Sequence, residues 1–141
     1  MDEDADIRRL LPLRELERAL GAVTERLALE LSPPPPAPPA WSELEWTLAP
    51  AVAAMHGVAP LLASLSLRDR PNEWRAFLEH QRIMTSARQR RIGALLDELD
   101  GRARRAGIAL MPLKGAALNA LGLYAGGERP MADLDLLVSA R

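Results

Sequence analysis

Gly107-Ile-Ala-Leu-Met-Pro-Leu-Lys-Gly115, followed by Arg129-Pro-Met-Ala-Asp-Leu-Asp-Leu-Leu-Val138, decides how this chain is read. The first stretch has the pattern of an apolar strand that turns through small residues into the helix Ala116-Ala-Leu-Asn-Ala-Leu-Gly-Leu-Tyr124. The mobile Gly-rich loop Gly126-Gly-Glu-Arg-Pro130 then leads to a second strand, which opens on two carboxylates. Strand side chains alternate between faces, so Asp133 and Asp135 are expected on one face, with Leu134, Leu136 and Val138 directed into a core. At about 3.3 Å per residue their Cα atoms lie roughly 6.5 to 7 Å apart, which lets both carboxylates reach one hard cation or a close pair. Like charges at that spacing repel, so a cationic group is expected between them.

Working outward, a long helix is predicted from Asp69-Arg-Pro71 to Ala106-Gly107. Its apolar stripe is Trp74, Phe77, Leu78, Met84, Ile92, Leu95, Leu96, Leu99 and Ala103. Arg102, Arg104 and Arg105 suit the negative end of its dipole, and Gly107 closes it. Upstream, Gly57 and Pro60 punctuate the entry to a short buried helix over Leu61–Leu65. Ser42-Glu-Leu-Glu45 has the form of a capping box with Trp41 placed as a hydrophobic staple, starting a helix towards Met55 that Pro50 should kink or split. Residues 6–31 carry largely helical apolar spacing, and Pro12 divides a lead-in from a main helix beginning near Leu13. The domain reading is therefore a helical segment at 1–32, a proline-rich linker at 33–40, a helical region at 41–106 and an α/β region at 107–141. The linker, rich in consecutive prolines, lacks most backbone donors and reads as a stiff polyproline II spacer.

Composition narrows the possible functions. The 141 residues are 48% hydrophobic with a net charge of −1, so there is material for a core but no global attraction to nucleic acid or anionic membrane. The absence of cysteine excludes disulfides, thiolate metal sites and Cys nucleophiles. The start Met1-Asp-Glu-Asp-Ala-Asp6 is acidic where a signal peptide is basic, and no apolar run has the length of a membrane span, so a cytoplasmic protein is expected. His56 and His80 have no neighbouring ligand types and read as packed or surface histidines. The Arg82, Arg88, Arg90 and Arg91 group resembles a phosphate-binding patch, but Glu79, Asp97, Glu98 and Asp100 make it a solvated helix face.

The carboxylates have company that suits phosphate chemistry. Lys114-Gly115 stands between a strand and a helix, where glycine lets backbone N–H groups approach a phosphate and lysine adds a point charge. The loop delivers Arg129 just before the carboxylates. Asp133 and Asp135 are oxygen ligands of the kind Mg²⁺ takes together with substrate phosphates. Each feature alone is common; their order is more specific.

Leu113-Lys-Gly-Ala-Ala117, Leu123-Tyr124 and Arg129-Pro-Met-Ala-Asp-Leu-Asp-Leu-Leu-Val138 resemble the uncharacterised nucleotidyltransferase family of the DNA polymerase β-like superfamily. His56-Gly-Val-Ala-Pro-Leu-Leu62 and the long helix resemble the helical region preceding the core in that family, so the resemblance covers about residues 41–141. It implies an α/β (α+β) fold, a small mixed sheet flanked by helices. It also implies that Gly115 and Lys114 contact an NTP triphosphate, that Arg129 is a further phosphate contact, and that Asp133 and Asp135 are the catalytic carboxylates binding Mg²⁺. The reaction implied is two-metal, in-line transfer of a nucleotidyl group from an NTP to the hydroxyl of an unknown acceptor: a small molecule, a protein or a nucleic acid.

The superfamily pattern adds a third carboxylate on a later strand, and no acidic residue follows Asp135 before Arg141. The expectation is therefore an N-terminal portion of a longer protein or a truncated relative, inactive as 141 residues alone. The rival expectation is a non-catalytic helical interaction or regulatory module with a degenerate nucleotidyltransferase fold, acting as a homo-oligomer or with a partner chain.

Overall fold

The computed structural model describes residues 12–33, 40–65 and 70–139. In chain order the elements are α1 (Leu13–Glu30), α2 (Glu43–Met55), α3 (Ala59–Leu62), α4 (Asn72–Arg105), β1 (Leu110–Pro112), α5 (Lys114–Ala120) and β2 (Leu136–Val138). The fold is α+β and mostly helical. Two compact units divide the chain, with the boundary between His56 and Gly57. The lead-in before Pro12 and the interior of the proline-rich linker lie outside the described residues.

In the first unit α1 packs against α2. The Pro12 carbonyl accepts the first helical N–H groups, from Glu15 at 2.8 Å and Leu16 at 3.1 Å, so α1 begins directly after the proline. Val23 and Leu27 from α1 are buried with Ala49, Val52 and Ala53 from α2. The capping box forms in full: Ser42 Oγ accepts from the Glu45 N–H at 3.3 Å, and the Glu45 carboxylate accepts from the Ser42 N–H at 2.7 Å. Trp41 and Trp46 stack with ring centroids 4.5 Å apart, completing the staple across the helix start. Pro50 does not split α2, which runs unbroken from Glu43 to Met55. An interior proline costs about 3 kcal/mol. The buried residues on either side, Ala49, Val52 and Ala53, offset that cost by packing.

The second unit is built on α4. The short helix α3 begins at Ala59, two residues earlier than the spacing predicts, because Pro60 is accommodated at the helix start where a missing N–H costs nothing. Pro60 and Leu62 are buried, as are Trp74 and Leu78 near the start of α4. The predicted stripe of α4 is only partly core: Met84 is 54% and Leu95 46% exposed. At its C-terminus Gly107 takes a φ of 69°, while Ile108 N–H donates to Ala103 O at 2.9 Å and Gly107 N–H to Arg104 O at 3.1 Å. Those are the two bonds of a Schellman cap, and they aim the chain into β1.

β1 and β2 form an antiparallel pair in the register Leu110↔Val138, Met111↔Leu137 and Pro112↔Leu136. Two flanking bonds lengthen it, Leu113 N–H to Asp135 O at 2.9 Å and Ser139 N–H to Ala109 O at 3.1 Å. Both α4 and α5 pack on β1. Two expectations need correction. β2 begins at Leu136, after the carboxylates rather than at them. Val138 is 55% exposed, not in a core, while Leu134 and Leu136 are half-buried. A pair of three-residue strands has too few neighbours to cover both faces.

Candidate functional site

The site grows from the turn between β1 and α5. Leu113 is extended (φ −117°, ψ 171°), and Lys114 then adopts a φ of 47°, a left-handed conformation unusual for a residue with a Cβ. Its Nζ lies 3.0 Å from Asp135 Oδ2. Pairing of β1 with the segment before β2 brings this about, because the Leu113 N–H bond to Asp135 O holds the two backbones side by side next to Lys114. A cation therefore does stand at the carboxylates, and it is the chain's own lysine. The hydrogen bond Lys114 donates to Asp135, the charge of Asp135 and the charge of Asp133 raise the Lys114 pKa above its ordinary value. The pair is open to solvent, with side-chain exposures of 72% for Lys114 and 35% for Asp135, and Asp133 is exposed.

Gly115 follows, and its missing side chain is used. A Cβ there would lie 3.3 Å from Met131 Cγ and 3.6 Å from Arg129 Nε. Met131, buried at 6% exposure, and Arg129 therefore close over the start of α5. Arg129 Nη1 donates to the Tyr124 hydroxyl at 3.2 Å, and its guanidinium lies 5.3 Å from the Tyr124 ring centroid. Cation–π contact of this kind orients a guanidinium as well as holding it. The Arg129 Nε is buried and has no hydrogen-bond partner among the described residues. Lys114 is thus brought to Asp135, and Arg129 to Gly115, the next residue in the chain.

The loop expected to be mobile is instead pinned. Ala125 N–H donates to Glu128 Oε2 at 2.8 Å, and Gly127 N–H donates to Gln89 Oε1 at 2.6 Å. Gln89 Nε2 also donates to Asn119 Oδ1 on α5. Gln89 and Asn119 were not singled out from the sequence, and Tyr124 and Met131 entered only as parts of the motif stretches, with no site role. Asn119 carried the one available signal, a polar residue inside an otherwise apolar helix; Gln89 on a charged helix carried none.

Other candidates stay apart from this cluster. His56 and His80 are exposed, as are Arg82, Arg88, Arg90 and Arg91. The acidic residues of α4 pair with its last turn: Glu98 with Arg102 at 2.5 Å and Asp100 with Arg104 at 2.8 Å. Among the described residues no group of three or more His, Cys, Asp or Glu side chains could hold a metal. No helix among them is long and apolar enough to cross a membrane.

Comparison with known proteins agrees with what the turn suggests. Neither the curated proteins nor the solved structures contain a match. The family model described as "Uncharacterised nucleotidyltransferase" matches residues 42–141, a stretch that takes in α2 to β2 and every residue of the cluster around Gly115. With most of its length matched, the chain belongs to the uncharacterised nucleotidyltransferase family.

Proposed function

We propose that the cluster around Gly115 binds an NTP with Mg²⁺ and serves transfer of its nucleotidyl group to an acceptor hydroxyl. The observation that carries this reading is the 3.0 Å contact between Lys114 and Asp135, placed beside Gly115 and Arg129 and left open to solvent. A carboxylate kept accessible beside Lys114, with Arg129 at the adjoining Gly115, suits a ligand that brings both a cation and phosphate oxygens.

The donor set fits Mg²⁺. Asp133 and Asp135 are hard oxygen donors, and the position of Lys114 Nζ at Asp135 Oδ2 marks a place where positive charge is favoured. Two protein carboxylates suffice, since Mg²⁺ fills its remaining positions with water and phosphate oxygens. When bound, Mg²⁺ neutralises triphosphate charge and acidifies an acceptor hydroxyl. The chain's own residues bind and orient. Lys114 offers a mobile point charge to phosphate oxygens, and Arg129 a planar guanidinium that Tyr124 holds in orientation. Gly115 permits the close approach of Arg129 on which that arrangement depends.

The acceptor is a small molecule, a protein or a nucleic acid; the net charge of −1 argues only against strong non-specific nucleic-acid binding. Calorimetric titration of the chain with ATP, with and without Mg²⁺, tests the reading, followed by an assay of pyrophosphate release. Micromolar affinity that needs Mg²⁺ and disappears in Asp133→Ala is the expected result. Indifference to all four NTPs together with stable self-association would transfer the assignment to a non-catalytic interaction module.

A further inference from the structure

One side chain ties the segment carrying Arg129 to the middle of α4. Gly127 N–H donates to Gln89 Oε1 at 2.6 Å across 38 positions of sequence, and Gln89 Nε2 donates to Asn119 Oδ1 across 30. A backbone N–H can only donate, so the Gln89 oxygen must face Gly127 and its amide nitrogen must face α5. The approach is close: Gly127 is buried with a φ of 86°, and a Cβ there would overlap the Ser86 side chain and come within 3.1 Å of the Arg82 carbonyl. Asn119 lies on the helix that begins with Lys114-Gly115, and Gly127 lies two residues before Arg129. The two hydrogen bonds of Gln89 therefore join the two segments whose ends form the site.

We infer that Gln89 is a positioning residue. It latches the 125–129 loop against α5 and α4, and thereby holds Arg129 beside Gly115 for contact with the phosphates of an NTP. The ligand rests on the reading under Proposed function; the latch itself does not. Gln89 bonds to Gly127 and Asn119 rather than to Lys114 or the carboxylates among the described residues, so its effect reaches the phosphates through Arg129.

Two variants of the full chain separate hydrogen bonding from packing. Gln89→Met keeps the length and the apolar stem but loses both bonds. Gln89→Glu keeps an acceptor for Gly127, and the Asn119 amide can turn to donate to the second carboxylate oxygen. Amide exchange of residues 125–129 reads the latch, and titration with Mg·ATP reads its consequence, each repeated on an Arg129→Gln background. Gln89→Met is expected to speed exchange of the Gly127 amide about tenfold or more, with α1 and α2 unaffected. It should weaken Mg·ATP about tenfold, the scale of one or two lost hydrogen bonds. Gln89→Glu should stay near wild type in both, and Gln89→Met should cause no further loss of Mg·ATP affinity once Arg129 is gone. Unchanged exchange in Gln89→Met, equal damage from both substitutions, or full additivity with Arg129→Gln would overturn the inference. Faster exchange in a chain whose wild type binds no Mg·ATP would retain the latch but sink both the nucleotide reading and the role given to Arg129.

Discussion

Glu45 and Asp135 each meet one basic side chain at nearly the same distance, 3.1 Å to Arg26 and 3.0 Å to Lys114, yet their surroundings are opposite. Glu45 is buried, and one of its oxygens accepts from the Ser42 N–H, the Ser42 hydroxyl and Arg26 together. Arg26 in turn donates to the Ala40 carbonyl and lies 5.9 Å from the Trp41 ring centroid. Every member of that network is committed to holding the start of α2. The Lys114–Asp135 pair has water on one side and a left-handed backbone under the lysine. An exposed ion pair adds little to stability, so stability does not account for a lysine held at φ 47°. The contrast separates a carboxylate spent on structure from one left open to solvent.

The sharpest way to break the contrast is to remove the available carboxylates. Asp135→Ala and Asp133→Ala should each lower Mg²⁺-dependent ATP affinity about 100-fold while shifting Tm by no more than about 3 °C. A collapse of Tm in calorimetry would place Asp135 with Glu45 as a structural group. Glu45→Ala should do the reverse, costing about 2 kcal/mol in urea unfolding because a buried arginine contact and a cap are lost at once, with nucleotide affinity unchanged. Lys114→Gly should weaken Mg·ATP about tenfold, and relief of the left-handed backbone should offset the lost surface contact, so that thermal unfolding barely moves.

The smallest effect is a pH dependence. The Ser42 backbone hydrogen bond, aided by the Ser42 hydroxyl and Arg26, holds the Glu45 pKa below its ordinary 4.5 against the opposing effect of burial. A depressed carboxylate pKa contributes stability that is present above 4.5 and is lost as pH falls through the lower, folded-state value. Urea midpoints measured downward from pH 5 should therefore fall, and Glu45→Gln should flatten that part of the curve. An unchanged slope in Glu45→Gln would show that other groups carry the acid sensitivity.

Local signals in the chain were readable where neighbours in sequence are also neighbours in space. The capping box at Ser42 and Glu45, the staple of Trp41 on Trp46 and the glycine cap at Gly107 span at most six residues, and each forms as its residue types demand. The same holds for the boundaries set by Pro12 and Pro71, directly after which α1 and α4 begin. Failures came where the outcome depends on distant partners. Alternation alone could not say that β2 starts at Leu136, because that limit is set by β1, which is only three residues long. Spacing put Met84 and Leu95 on an apolar stripe, but among the described residues no element covers them well enough to bury them.

The sequence by itself determined the order of the helices, the capping box at Ser42, the glycine cap at Gly107 and the family membership carried by residues 42–141, because those rest on residue types in short local patterns. It also named Lys114, Gly115, Arg129, Asp133 and Asp135 as the residues to watch, and called for a cation beside the carboxylates. Only the tertiary structure decided that the cation is Lys114, that Arg129 lies over Gly115 on Tyr124, and that Gln89 ties the loop down. The physical reason is the range of the forces involved. A cap satisfies backbone groups within one turn, whereas a hydrogen bond between residues 38 positions apart exists only after strand pairing and helix packing have brought them within 3 Å.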